Sequence, residues 1–163
     1  MGAQTIVAGA GDPDRLSLHQ GVRTALAAGL SFWITQLLHL PGGYWAAISA
    51  IVVMQSEVGA TMIASRDRLA GTAIGAVVGW LTAVVWHHYV VIFAMSVLLV
   101  MVLCTVLHFK NAGRLGGVTV AVIVLIPHAG PIFHIALERF VEVSFGICVS
   151  LAIATLWPKV QRL

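Results

Sequence analysis

VVIFAMSVLLVMVLCTVLH, residues 90–108, runs for 19 positions without an Asp, Glu, Lys or Arg. At about 1.5 Å of rise per residue, a helix of that length reaches roughly across the 30 Å hydrocarbon core of a bilayer. The run has no apolar-polar alternation, and an open sheet could not satisfy its backbone groups in lipid, so it reads as a membrane helix. Charges, glycines and prolines divide the rest of the chain into comparable runs. The expected spans lie near 18–39, 44–63, 68–87, 90–108, 115–134 and 138–157. The expected fold is an all-α integral membrane protein of six transmembrane helices.

Composition agrees. The chain is 60% hydrophobic and 9% charged, whereas soluble domains carry roughly 25% charged residues. Residues 1–17 lack a basic start followed by an apolar run, so they are expected to form a flexible amino-terminal tail and not a cleaved signal peptide. Residues 18–163 then form one transmembrane domain. The nine Lys and Arg are scattered singly and make no basic patch, which argues against nucleic acid as a partner. With the amino terminus in the cytoplasm, Arg15, Arg23, Arg66, Arg68, Lys110, Arg114, Lys159 and Arg162 fall at inner ends and Arg139 alone at an outer end. That distribution satisfies the positive-inside rule and puts both termini in the cytoplasm. Tyr44, Trp45, Trp86, Tyr89 and Trp157 fall at expected span ends, where amphipathic rings suit the lipid interface.

Displacing the sequence by 71 positions lays residues 44–86 on 115–157 with eight identities. The rarer types carry the weight: Gly59/Gly130, Arg68/Arg139, Gly75/Gly146 and Trp86/Trp157, with the acidic Asp67 and Glu138 also in register. The chain thus divides into a repeat of about 18–87 and another of about 90–158. Three helices is an odd number, so the second unit is expected to be inverted, as in many secondary transporters whose sites lie where interrupted helices meet. Corresponding interruptions are expected at Gln55 to Gly59 in the second span and at Pro127 to Pro131, including Gly130, in the fifth.

The order Gly43-Tyr44-Trp45-Ala46-Ala47, Val53-Met54-Gln55, Gly59-Ala60-Thr61 and Arg68-Leu69-Ala70-Gly71-Thr72-Ala73-Ile74-Gly75 resembles the fusaric acid resistance and aromatic acid exporter family. Glu138-Arg139-Phe140 and Gly146 look like that family's weaker distal signature. The resemblance implies efflux of aromatic carboxylates or similar organic acids, with a more distant likeness to plant malate channels. Family members commonly join this module to a large cytoplasmic domain, and many carry it twice. A single module is therefore expected to work as a homo-oligomer, most simply a dimer.

The candidate substrate-binding residues are Arg68, Arg139, Tyr44, Trp45 and Gln55, and the candidate proton-coupling group is Glu57. Arg68 and Arg139 are expected to begin the third and sixth spans, each setting a cation beside a helix amino terminus that also favours anions. Topology alone is the other reading of Arg68, and an ion pair with Glu138 or Glu142 that of Arg139. Tyr44 and Trp45 either stack on an aromatic solute or belong to the interfacial belt. Glu57, inside an apolar span, is expected to be protonated, paired with an arginine such as Arg23, or lining a wet cavity. Gly71, Gly75 and Gly79 form a smooth helix face for close packing. Five histidines, His39, His87, His88, His128 and His134, fall on the outer side, where they could sense acidity.

Cys104 and Cys148 lie in apolar runs without ligand spacing, so neither metal nor cofactor is expected. No phosphate-binding loop or catalytic triad is recognisable, which disfavours an ATP-driven pump or an enzyme. The expected function is an inner-membrane exporter of aromatic or other small organic acids, coupled to the proton gradient. A passive organic-anion channel and a non-transporting scaffold or accessory subunit are the alternatives.

Overall fold

In the computed structural model the described residues are 13–40, 42–85, 90–109, 111–126 and 131–157. They form six helices and no strand: α1 (Pro13–Leu37), α2 (Gly43–Val53), α3 (Val58–Val85), α4 (Val90–Val106), α5 (Ala112–Leu125) and α6 (Ile132–Leu156). Helix α1 starts at Pro13, so residues 13–17 belong to a helix and not to a tail. Among the described residues one helix, Ile132–Leu156, is long and apolar enough to cross a membrane. Helices α2 and α5, with 11 and 14 residues, reach only about 16 and 21 Å, short of a bilayer core.

Those two short helices correct the expected boundaries. The interruption placed inside the second span is the connection between α2 and α3, and residues 58–63 belong to α3. Residues 64–67, read as a loop because of their charges, are helical. Arg and Lys are good helix formers, so Arg66-Asp67-Arg68 does not stop a helix when each side chain finds a place. The real stop is at Met54, whose φ −67° and ψ 117° are extended. Thr61 clamps the turn: its hydroxyl accepts the Gln55 amide at 3.1 Å and donates to the Glu57 carbonyl at 3.0 Å. From α1, Gln20 Oε1 accepts a bond from Ser56 Oγ at 2.5 Å and Arg23 Nη1 reaches the Ser56 carbonyl at 3.4 Å. In the second half α5 ends at Leu125 and α6 starts after Pro131, its N-cap residue, so that interruption too lies between helices. Pro127 and Gly130 are outside the described residues, as are Trp86, Tyr89, His87, His88 and His128.

Helices α3 and α6 pack together at the centre. Helix α5 lies against α3 and α2 against α6, while α1 covers α2 and α6 and α4 covers α5 and α3. Exchanging α1 with α4, α2 with α5 and α3 with α6 maps this set of neighbours onto itself. Glycines allow the central contacts. A Cβ on Gly75 would meet the Gly116 carbonyl of α5, and one on Gly146 would meet the Ala46 carbonyl of α2.

Helices α1 and α4 also end alike. Leu40 N donates to Thr35 O and His39 N to Gln36 O, and Phe109 N donates to Cys104 O and His108 N to Thr105 O. This is the paired bonding that closes a helix through a left-handed residue, here His39 (φ 53°) and His108 (φ 63°). The outward surfaces are apolar; Val90, Val91, Leu98 and Val106 of α4 and Leu26, Leu30 and Trp33 of α1 are all exposed. A soluble fold would bury such residues, and lipid removes the need.

Candidate functional site

Helix α2 positions the site. Trp45 and Ser49 are four residues apart on it, hence on one face and about 6 Å apart along the axis. Arg139 of α6 meets the first of them. Its guanidinium lies 5.0 Å from the Trp45 ring centre and 5.7 Å from that of Tyr44, within cation–π range of both. Arg68 of α3 meets the second, with Nη2 3.4 Å from Ser49 Oγ. The two arginines, related by the repeat of 71 residues, thus converge on one short helix.

Both lie deep inside their helices and not at the amino ends. Helix α3 begins at Val58 and α6 at Ile132, so the dipoles of α3 and α6 give these arginines no help, since that effect fades within the first turn. Position makes them costly: an Arg at the centre of a membrane helix is unfavourable by roughly 2.5–3.5 kcal/mol on insertion scales. The two meet that cost differently. Arg139 Nη1 is 3.0 Å from Glu142 Oε2 one turn along α6, the ion pair weighed above as an alternative. Among the described residues, no carboxylate lies within the same reach of Arg68. Arg68 is 3% exposed, its Nε has no hydrogen-bond partner, and its one polar side-chain contact is the long one to Ser49. In the repeat, Glu142 corresponds to Gly71, which has no side chain to offer and packs on the Ala112 backbone.

The other expected site residues are spread out. Gln55 lines a cavity of about 460 Å³ between the end of α2, the first half of α3 and the start of α5. Asp67, Asn111 and Arg114 give that cavity its remaining polar wall. Ser49, Asn111 and Arg114 were not among the expected site residues. Charge at Arg114 is visible in the sequence, but its place on one cavity wall with Asp67 depends on how α3 crosses α5. Glu57 is exposed beyond the end of α2, and Arg23 binds the neighbouring Ser56 carbonyl and not the Glu57 carboxylate. Gly59 is exposed in the first turn of α3, with no atom in the way of a Cβ.

Chemically, Arg68 sets a buried cation beside the Ser49 hydroxyl with no carboxylate within 4.0 Å among the described residues, and Tyr44 and Trp45 add aromatic surface one turn away. Two curated relatives carry sequence similar to this chain. The "Uncharacterized transporter YdhK" of Escherichia coli (strain K12) is 33% identical over 136 residues, covering 77% of this chain and 20% of the relative. The "Inner membrane protein YccS" of the same organism is 26% identical over 153 residues, covering 91% of this chain and 21% of the relative. The chain therefore spans about a fifth of the length of these relatives. No solved structure matches it. A family model described as fusaric acid resistance protein-like matches residues 27–153, which takes in α2 through α5, both arginines and nearly all of α6. The chain belongs to the fusaric acid resistance protein-like family.

Proposed function

We propose that this chain is the membrane module of a bacterial inner-membrane transporter that exports aromatic or other small organic acids, and that Arg68 binds the carboxylate. The observation that carries this reading is the Arg68 guanidinium, buried in mid-helix with a single distant hydroxyl for company. An unpaired ion taken out of water costs several kcal/mol, and an anion bound at Arg68 offsets that cost. Family membership supports the reading, as do the names of the relatives, one a transporter and the other an inner membrane protein.

On this reading the chain crosses the membrane six times as two inverted three-helix units, with both termini in the cytoplasm. The repeat of 71 residues, the self-mapping set of helix neighbours and the shared helix ends at His39 and His108 support it. Helices α2 and α5 are then the short elements at the repeat interface, each followed by a break before the next long helix, where transporters of this design hold their substrate. The cavity beside Gln55, Asp67 and Arg114 is its cytoplasmic entrance. A second copy of the chain completes the lateral wall of the path, giving a homodimer. Glu57, being exposed, is a poor coupling group.

The test is flux of benzoate from liposomes loaded with purified protein. Replacing Arg68 by Gln should lower flux at least about tenfold, because a charge-assisted hydrogen bond is worth roughly 1.5–3 kcal/mol. Glu57→Gln should leave it unchanged. Undiminished flux through Arg68→Gln refutes the assignment.

A further inference from the structure

Glu142 is the most buried charged side chain among the described residues, at 1% exposure. Its carboxylate lies against Gly42, the N-cap residue of α2, so closely that a Cβ on Gly42 would overlap it. Gly42 offers α2 no side-chain cap. The Gly42 amide faces the carboxylate, yet neither oxygen completes a hydrogen bond with it, and the contact with Arg139 is an ion pair without hydrogen-bond geometry. A helix amino terminus of 11 residues, a guanidinium and no cap make an anion site. Its occupant is the protein's own side chain, held there loosely.

We propose that the amino end of α2 together with Arg139 is a second carboxylate site, that Glu142 fills it as a tethered surrogate anion, and that the transported carboxylate displaces Glu142, which takes up a proton as it leaves. This rests on the reading of the chain as an organic-anion transporter. Charge accounts for the proton. With Glu142 ionised against Arg139 the site is neutral, and with an organic carboxylate in its place neutrality requires Glu142 to be protonated. One proton from solvent is therefore bound for each anion that displaces Glu142 and released when Glu142 returns. The charged groups acting on Glu142 are Arg139 and Glu138, both on α6. Helix α2 adds the Tyr44 phenol beside Arg139, and α3 the Arg68 guanidinium one turn along α2. Arg68 receives the anion first, since Gly71 gives it no competing carboxylate; Arg139 receives it second, by exchange.

The experiment is benzoate titration calorimetry on the purified protein in buffers of differing ionisation enthalpy, which counts protons taken up per benzoate. The wild type should take up protons as the Arg139 site fills, toward one per benzoate bound there, and Glu142→Gln none, with benzoate bound about tenfold tighter at that site near neutral pH because no internal anion competes. A wild-type proton count in Glu142→Gln overturns the proposal. Glu142→Gln leaves Arg139 unpaired and is checked for folding by its melting curve. Should it fail to fold, the doubly neutral Arg139→Gln/Glu142→Gln protein replaces it, expected to bind benzoate at Arg68 alone with no proton uptake; a count of one again overturns the proposal. Arg68→Gln separates the two readings. Wild-type benzoate binding in that variant refutes the transporter site, whereas weakened binding there combined with an unchanged proton count in Glu142→Gln refutes only the role of Glu142.

Discussion

Neutralising the two repeat-related arginines should move stability in opposite directions. Arg68 has no carboxylate within 4.0 Å among the described residues and a 3.4 Å contact with Ser49. That distance exceeds the usual 2.7–3.2 Å of an N–H···O bond, so it offsets little. Removing the charge with Arg68→Gln relieves roughly 2.5–3.5 kcal/mol of insertion cost and gives up at most about 0.5 kcal/mol of hydrogen bonding. After an allowance for poorer packing of the shorter side chain, a gain of about 2 kcal/mol remains, on the order of 5 °C in melting temperature for a chain of this size. Arg139→Gln instead strands the buried Glu142 carboxylate, and breaking a buried pair from one side costs about 3–5 kcal/mol. Melting of the purified proteins, followed by tryptophan fluorescence with and without benzoate, reads both effects. Benzoate should raise the melting temperature of the wild type clearly more than that of Arg68→Gln. An Arg68→Gln protein less stable than wild type by more than about 1 kcal/mol, or one protected by benzoate as fully as the wild type, would show that Arg68 is satisfied internally and sink the argument.

Three further outcomes test the packing that sets the site. Gly75→Ala and Gly146→Ala should each lose about 1–3 kcal/mol, because the added methyl meets a backbone carbonyl that cannot move, whereas Gly59→Ala, in open space, should be neutral or gain up to about 1 kcal/mol; thermal melting of the three decides it. His39→Gly and His108→Gly should each stabilise by about 1 kcal/mol through relief of the left-handed backbone, and a loss at either position would deny that the two helix ends are the same structure. Thr61→Val removes the hydroxyl that serves both sides of the turn between α2 and α3; a cost of about 1–3 kcal/mol in melting is expected, and an unchanged protein would mean the turn is held from α1 alone.

Hydropathy made the helices legible because lipid imposes it on every residue of a span, and six apolar runs became six helices. The boundaries were less legible for a specific reason. Arg66-Asp67-Arg68 looks like a loop in a one-dimensional reading, where a charge means water. In the bundle Arg66 stacks on Phe109 at 4.8 Å, Asp67 faces a cavity and Arg68 faces Ser49, so the helix runs on beneath them. The mistake displaced Arg68 and Arg139 from mid-helix to helix starts and credited them with dipoles they do not feel. Of the site, the aromatic pair and Arg139 were recognisable, since a cation at an otherwise uncharged outer end calls for partners. Ser49 was not, because its role follows from the register of α2 against α3 and α6. That register is set by contacts such as Gly146 on the Ala46 carbonyl, which link residues a hundred positions apart.

The repeat also explains why one arginine carries a built-in carboxylate and the other does not. Two bare guanidiniums meeting α2 a turn apart, about 6 Å along its axis, would repel by roughly 2–3 kcal/mol at an effective dielectric constant near 20. They would also hold an organic anion between them more tightly than a transport cycle tolerates, since a conducting site must release what it binds. On the proposed reading, an acidic residue at one of the two equivalent positions, Glu142 against Gly71, meets both difficulties and leaves Arg68 uncompensated to attract the anion. Affinity and flux should then part company in Glu142→Gln. Benzoate should bind more tightly yet cross liposome membranes several-fold more slowly than in the wild type, because nothing returns to push it out. Equal gains in binding and flux would mean that release does not limit transport and that the carboxylate of Glu142 serves only to pair Arg139.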